Sequence, residues 1–225
     1  MSLLGQGRAV LEMLRPDDAA ALLGAGTRRL YQAGDVMIAE GDTTTFVLVI
    51  LGGRVTIAVN TEPGGRLILA LRGPGDVVGE QSALDGAARS ATVTALVPTE
   101  AVVVPVRRFH EVLARRPAMS RVIMSAISGR LRDADSERRV LVSASLLQRV
   151  ARALAELAER AGRPCEEGTL IDLHLPQHEL AALVGATREG TAKALRLLRE
   201  ASIVLTRPGL TIIVDRDALR AIGDV

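Results

Sequence analysis

The hydrophobic period of this chain changes along its length, and those changes dictate a fold of unlike parts. From about Thr27 to Pro105, apolar residues come in short runs: Val36–Ala39, Phe46–Leu51, Val55–Val59, Leu67–Leu71, Ala91–Ala95 and Ala101–Val104. Turn formers stand between them, among them Gly34-Asp35, Gly41-Asp42, Gly52-Gly53, Pro63-Gly64-Gly65 and Gly73-Pro74-Gly75-Asp76. Short strands so punctuated predict a sandwich or barrel. Residues 8–24 predict one short helix in front of it, with Leu11, Leu14, Ala19 and Leu22 facing inward.

After Pro117 the period becomes helical. Met124, Ile127, Leu131, Ala134, Arg138 and Leu141 step alternately by three and four, the spacing of a coiled-coil seam. The stretch 118–141 lacks proline and predicts one long helix. Its stripe serves either a second copy of the helix across a dimer or the chain's own domain. Arg138 in such a seam needs an acidic partner, Asp135 or Glu137 across the dimer.

A third pattern follows the small, polar hinge Val142-Ser143-Ala144-Ser145. Leu146–Arg160 predicts a helix, 162–168 a loop and Leu170–Leu173 a strand. Two helices separated by Gly185 come next, then a hairpin of Ile203–Leu205 and Thr211–Val214 turning at Arg207-Pro208-Gly209. Helix, helix-turn-helix and β-wing are the parts of a winged DNA-binding domain. The expected class is therefore α+β, with boundaries at 1–116, 117–145 and 146–225.

Composition narrows the function. The net charge is +2, and the aromatic residues are one Tyr and two Phe with no Trp. So few rings argue against single-strand binders that stack bases on aromatic platforms. One cysteine, Cys165, excludes an internal disulfide framework and any cluster held by four cysteines of this chain. No apolar stretch approaches the ~20 residues that span a bilayer. The start has no basic region leading into a long apolar run, so no signal peptide and no membrane partner are expected. Cys165, His174 and His178 are a poor metal set, because Pro176 interrupts the helix that would align the histidines. No metal is expected, and with no nucleophile–base–orienter set and no Walker-type loop, no enzyme either.

The segment from Gly79 to Thr92 carries the densest chemistry. Arg89 offers a forked guanidinium that matches two phosphate oxygens, and Ser90 adds a hydroxyl. A turn starting at Gly79 exposes backbone N–H groups to an anion, with Gln81 in its first residues. Glu80 only accepts hydrogen bonds and suits a sugar hydroxyl. Alternatively, Glu80 and Arg89 pair with each other inside the loop.

Gly-Glu, then Arg-Ser-Ala, preceded by Gly-Pro-Gly-Asp and short strands, resembles the phosphate-binding cassette of cyclic-nucleotide-binding β-rolls. Followed by a long helix and a winged helix-turn-helix, the chain resembles the cyclic-AMP receptor protein/FNR family of bacterial transcription regulators over about Thr27–Val214. The resemblance implies that Gly79 and Glu80 hold a ribose while Arg89 and Ser90 hold a cyclic phosphate. Aligned through Arg130-Leu131, the two base-facing positions of the long helix are Ala134 and Asp135. Alanine cannot bond a base, and aspartate suits the donor edge of guanine. Cyclic GMP, another nucleotide or no nucleotide therefore stands beside cyclic AMP, and no cofactor is required. The resemblance also implies a cytoplasmic homodimer with a seam of Met124, Ile127, Leu131, Arg138 and Leu141, working with RNA polymerase.

Residues 176–196 supply the reading elements. Gly185 permits the tight turn and Thr187 suits the N-cap of the second helix. Arg188, Glu189, Lys193 and Arg196 fall on or near its outer side; arginine there reads guanine and glutamate reads cytosine. In the family's Arg-Glu-Thr-x-x-Arg pattern, Arg188, Glu189 and Lys193 take base-reading positions. Gly190 stands where the family has threonine, and Lys193, the chain's only lysine, where it has arginine. Thr206, Arg207 and Thr211 at the wing, and Gln177 and Thr191 near the turn, are expected at phosphates, and Thr187 is counted with the DNA-binding residues. The expectation is an effector-controlled regulator reading a near-palindromic duplex. Its alternatives are a regulator that needs no nucleotide, and a nucleotide-sensing module whose C-terminal part binds protein.

Overall fold

The computed structural model describes residues 8–61, 65–173, 176–207 and 210–223. They fall into two compact units: one from the described residues of Gly5–Val59 and Leu71–Arg132, the other from those of Asn60–Ala70 and Asp133–Val225.

The first unit opens with two helices, α1 (Val10–Met13) and α2 (Pro16–Gly24), where the sequence reading expects one. Pro16 explains the break: it has no N–H to continue α1, yet its fixed φ suits the first position of α2. Among the described residues eight strands follow in chain order, β1 (Thr27–Tyr31), β2 (Val36–Ile38), β3 (Phe46–Gly52), β4 (Val55–Thr61), β5 (Gly65–Arg72), β6 (Val77–Val78), β7 (Thr92–Ala95) and β8 (Thr99–Pro105), of which the end of β4 and most of β5 group with the second unit. They form two sheets, ordered β1-β8-β3-β6 and β2-β7-β4-β5. Strand β3 shows how one sequence serves two layers. Val47 and Val49 join a core with Leu22, Val102, Val104, Phe109, Met119 and Ile123. Leu48 and Ile50, on the alternate face, join Ile38, Val55, Val78, Val93 and Ala101. A strand buried on both faces reads as a continuous apolar run. β1 and β6 escaped the sequence reading because Thr-Arg-Arg-Leu-Tyr is mostly exposed and Val77–Val78 is too short to show a period.

Helix α3 (Glu80–Asp85) sits between β6 and β7, and α4 (Val106–Arg115) after β8. Arg116 Nη1 donates to Asp18 Oδ1 at 2.6 Å, which ties the end of α4 to α2. Helix α5 runs Pro117–Ser143, two residues beyond the expected end. On its N-terminal half, Met119 and Ile123 are buried, with Ile127 packed against the same core.

The second unit is built on α6 (Leu146–Ala161). Ser145 caps it: its Oγ accepts from the Gln148 N–H, and the Gln148 side chain accepts from the Ser145 N–H. The predicted hinge at 142–145 is therefore reduced to the residues between helix end and cap. The segment expected as a loop at 162–168 contains β9 (Gly162–Cys165), paired with β10 (Gly168–Ile171). β10 begins two residues before the expected strand, at Gly168. Helices α7 (Gln177–Leu183) and α8 (Arg188–Glu200) make the helix-turn-helix. β11 (Val204–Arg207) and β12 (Leu210–Ile213) complete a sheet ordered β11-β12-β10-β9, and α9 (Arg216–Gly223) packs on α6. The tip of the wing, Pro208-Gly209, lies outside the described residues.

Candidate effector and nucleic-acid sites

The cassette is organised by Gly79. Its φ of +81° lies where glycine is favoured, and a Cβ there would stand 2.7 Å from Arg89 Nη1. Left-handed Gly79 followed by helical Glu80 is a backbone sequence that converges successive N–H groups on one point. Gln81 and Ser90 are exposed on this segment.

Arg89 is only 3% exposed. Its Nε donates to Thr44 Oγ1 at 3.0 Å, its Nη1 to the Gly79 carbonyl at 2.7 Å, and its Nη2 to the Phe46 carbonyl. The guanidinium also lies 5.3 Å from the Phe46 ring centroid. The Arg89 N–H donates to the Asp42 carbonyl and its own carbonyl accepts from Gly41, both at 2.8 Å. One residue thus binds the 41–46 loop to the cassette turn. Burial lowers its pKa, opposed by the charges of Glu80 and Asp42. A guanidinium carries five N–H donors. Three of them are engaged by the protein.

Glu80 does not take Arg89 as its ion-pair partner. It is 4% exposed and pairs with Arg130 of α5, whose Nη2 also donates to the Val77 carbonyl at 2.7 Å. Arg130 was not singled out from the sequence, although the signal was there. Met119, Ile123 and Ile127 mark the inward face of α5, and Arg130 is the next residue on it. His110 of α4 has its Nε2 2.6 Å from the Ala83 carbonyl of α3.

Farther along α5, Ala134 is half-buried, and exposed Asp135 lies 3.5 Å from Arg138. That contact lies within one helix, whereas the seam reading places the acidic partner of Arg138 across the dimer. Met124 is exposed, and Leu131 is 64% exposed. The rest of the expected seam is engaged within the chain. Ile127 packs on the barrel core, and a Cβ on Gly185 would sit 3.2 Å from Leu141 Cδ2.

In the reading unit, Thr187 caps α8, its Oγ1 accepting from the Gly190 N–H at 3.1 Å. Gly185, at φ +61°, makes the turn. Arg188, Glu189, Lys193 and Arg196 are exposed along α8, and Gln177 is exposed at the start of α7. Arg196 lies 3.7 Å from Glu200. Thr191 corrects the sequence reading: it is 0% exposed, so its side chain faces the domain interior and cannot reach a phosphate. Gly190 has a packing reason, since a Cβ there would meet Leu146 Cδ2 at 2.9 Å. On the wing, Arg207 Nη2 donates to Glu167 Oε1 at 2.8 Å, and that bond lowers the Glu167 pKa. Thr206 Oγ1 accepts from Arg199, and Thr211 is half-buried. Among the described residues no group of three potential metal ligands occurs, and no helix is long and apolar enough to cross a membrane. His174 lies outside those residues.

Comparison with known proteins places both regions. Residues 28–116 match the family model for the cyclic nucleotide-binding domain, and residues 148–222 that for the Crp-like helix-turn-helix domain. A cyclic AMP receptor protein of Thermus thermophilus is 31% identical over 204 residues, covering 91% of each chain. A CRP-like cAMP-activated global transcriptional regulator of Mycobacterium tuberculosis is 31% identical over 191 residues, covering 83% of each. In fold, the chain is similar to the c-di-GMP responsive global regulator of Xanthomonas campestris. That match has a TM-score of 0.80 at 21% identity, over 88% of this chain and 99% of that one. The catabolite activator protein of Thermus thermophilus matches at 30% identity with a TM-score of 0.55, over 96% and 98%.

Proposed function

The chain belongs to the cyclic-AMP receptor protein/FNR family of transcription regulators, and from that premise we propose how its cyclic nucleotide-binding and helix-turn-helix DNA-binding domains cooperate. The effector is a cyclic nucleotide. Gly79 and Glu80 hold its ribose, and Arg89 and Ser90 its cyclic phosphate, with Gln81 beside them. Ala134 and Asp135 remain the base-facing pair on the family's pattern. The chain acts as a homodimer in the bacterial cytoplasm. Exposed Met124 and Leu131, seven residues apart on α5, supply the apolar part of the seam. Burying such side chains contributes about 1.5–3 kcal/mol each. Two α8 helices then enter successive major grooves about 34 Å apart, with RNA polymerase as the further partner. Arg188, Glu189 and Lys193 read bases, while Gln177, Arg196 and Arg207 meet phosphates.

One observation carries the coupling: buried Glu80 is paired with Arg130 of the long helix. A ribose hydroxyl donated to Glu80 competes with Arg130 for the same carboxylate. Effector binding is thereby felt on α5, provided the two states of the helix differ in effector affinity. Calorimetry with cyclic AMP and cyclic GMP, followed by duplex binding with and without each, tests the reading. Heat with one nucleotide and a matching change in DNA affinity supports it.

A second reading, DNA binding without nucleotide, draws on Arg89. Its bonds to Gly79, Phe46 and Thr44 also make it a structural tie for the barrel. Absence of heat with either nucleotide, together with effector-free operator binding, favours that reading.

A further inference from the structure

We infer that Arg66 is a positioning residue for DNA reading: with Glu179 it forms a charge clasp that holds α7 in the posture from which α8 meets the duplex. The inference rests on the DNA-reading face proposed above. Arg66 Nη1 of β5 donates to Glu179 Oε1 of α7, a hydrogen bond between residues 113 apart in sequence. Glu179 is 9% exposed, and its Oε2 has no hydrogen-bond partner among the described residues. A carboxylate so placed depends on its cation, because water is not there to replace it. His178 Nε2 lies 3.7 Å from the same carboxylate but is exposed, and it contributes charge only when protonated.

The neighbouring residue extends the grip. Leu67 Cδ1 lies 3.6 Å from where a Cβ on Gly185 would stand. Arg66 and Leu67 therefore address the start of α7 and the turn after it, fixing that helix at both ends. The described residues of Asn60–Ala70 group with the reading unit. Arg188, Glu189 and Lys193 stay exposed in this arrangement. The clasp thus grips the motif away from its reading face, and loosening it lets α7 and α8 drift from the geometry that groove entry requires.

The test uses the full-length protein and fluorescence anisotropy on a selected operator duplex. Arg66→Gln and Glu179→Gln each weaken binding roughly tenfold, a coupling within the usual range. The swap Arg66→Glu with Glu179→Arg restores most of the loss. Single variants that bind like the wild type overturn the clasp, as does a swap that fails to rescue. Melting temperatures run in parallel: a merely structural role lowers stability in the singles without rescue of affinity by the swap. Arg188→Ala separates the two layers of inference. Should it leave binding unchanged, the reading face is wrong, and hydrogen exchange then judges the clasp: faster exchange of α7 amides in Arg66→Gln supports it, and unchanged exchange overturns it.

Discussion

The cassette and the recognition helix both depend on arginine, yet they treat it oppositely. Arg89 is buried, with three of its N–H groups held by the protein, and Arg130 is held by Glu80 and Val77. Arg188 and Lys193 stand exposed on α8, without an ion-pair partner among the described residues. On the proposed function, the difference follows from the ligands. A small effector enclosed by a barrel meets preformed charge, which must be satisfied while the effector is away, since an unpaired buried charge is costly. Duplex DNA brings its own dense charge to the surface, and basic groups waiting in water need no substitute partner.

The sharpest way to break this contrast is to remove a buried cation. Arg130→Ala leaves Glu80 without its partner and costs about 3 kcal/mol of unfolding free energy, read by denaturant melts. A loss below about 1 kcal/mol makes the cassette no more demanding than the surface. On the exposed side, Arg188→Ala leaves stability unchanged within about 0.5 kcal/mol. It weakens operator binding by about 1–3 kcal/mol and relaxes one base position. Equal loss on every sequence reassigns it to phosphate contact. Thr187→Ala removes the α8 cap and costs about 1 kcal/mol of stability. The smallest effect is at the wing, where Glu167 is held below its ordinary pKa by the Arg207 hydrogen bond. That contribution is complete above about pH 4.3, the ordinary glutamate value, and is lost as pH falls through the lower folded value. A carboxyl NMR titration finds the depressed value in the wild type and its return in Arg207→Ala.

The same contrast explains what could be read without a structure. Strands such as Phe46–Gly52 and helices such as α5 and α6 announce themselves because burial imposes a period on many residues. The cap at Thr187 and the turn at Gly185 are local, and local chemistry is visible in sequence. What escaped is long-range pairing. Nothing in Arg130 says that its partner lies 50 residues earlier, or in Arg66 that its partner lies 113 residues later. Thr191 misled for a related reason: it sits one turn from exposed residues, and only the rotation of α8 against its neighbours decides that it turns inward. Gly190 stands out in the sequence only as a departure from the family's threonine, and its packing against Leu146 is again a long-range contact.

The most direct test of the central claim, that an effector in the cassette controls DNA reading, is operator affinity measured with and without cyclic AMP and cyclic GMP, on the wild type and Arg89→Gln. The account predicts that one nucleotide shifts the wild-type affinity by roughly five- to 150-fold and that Arg89→Gln abolishes the shift. A wild-type affinity indifferent to both nucleotides contradicts it.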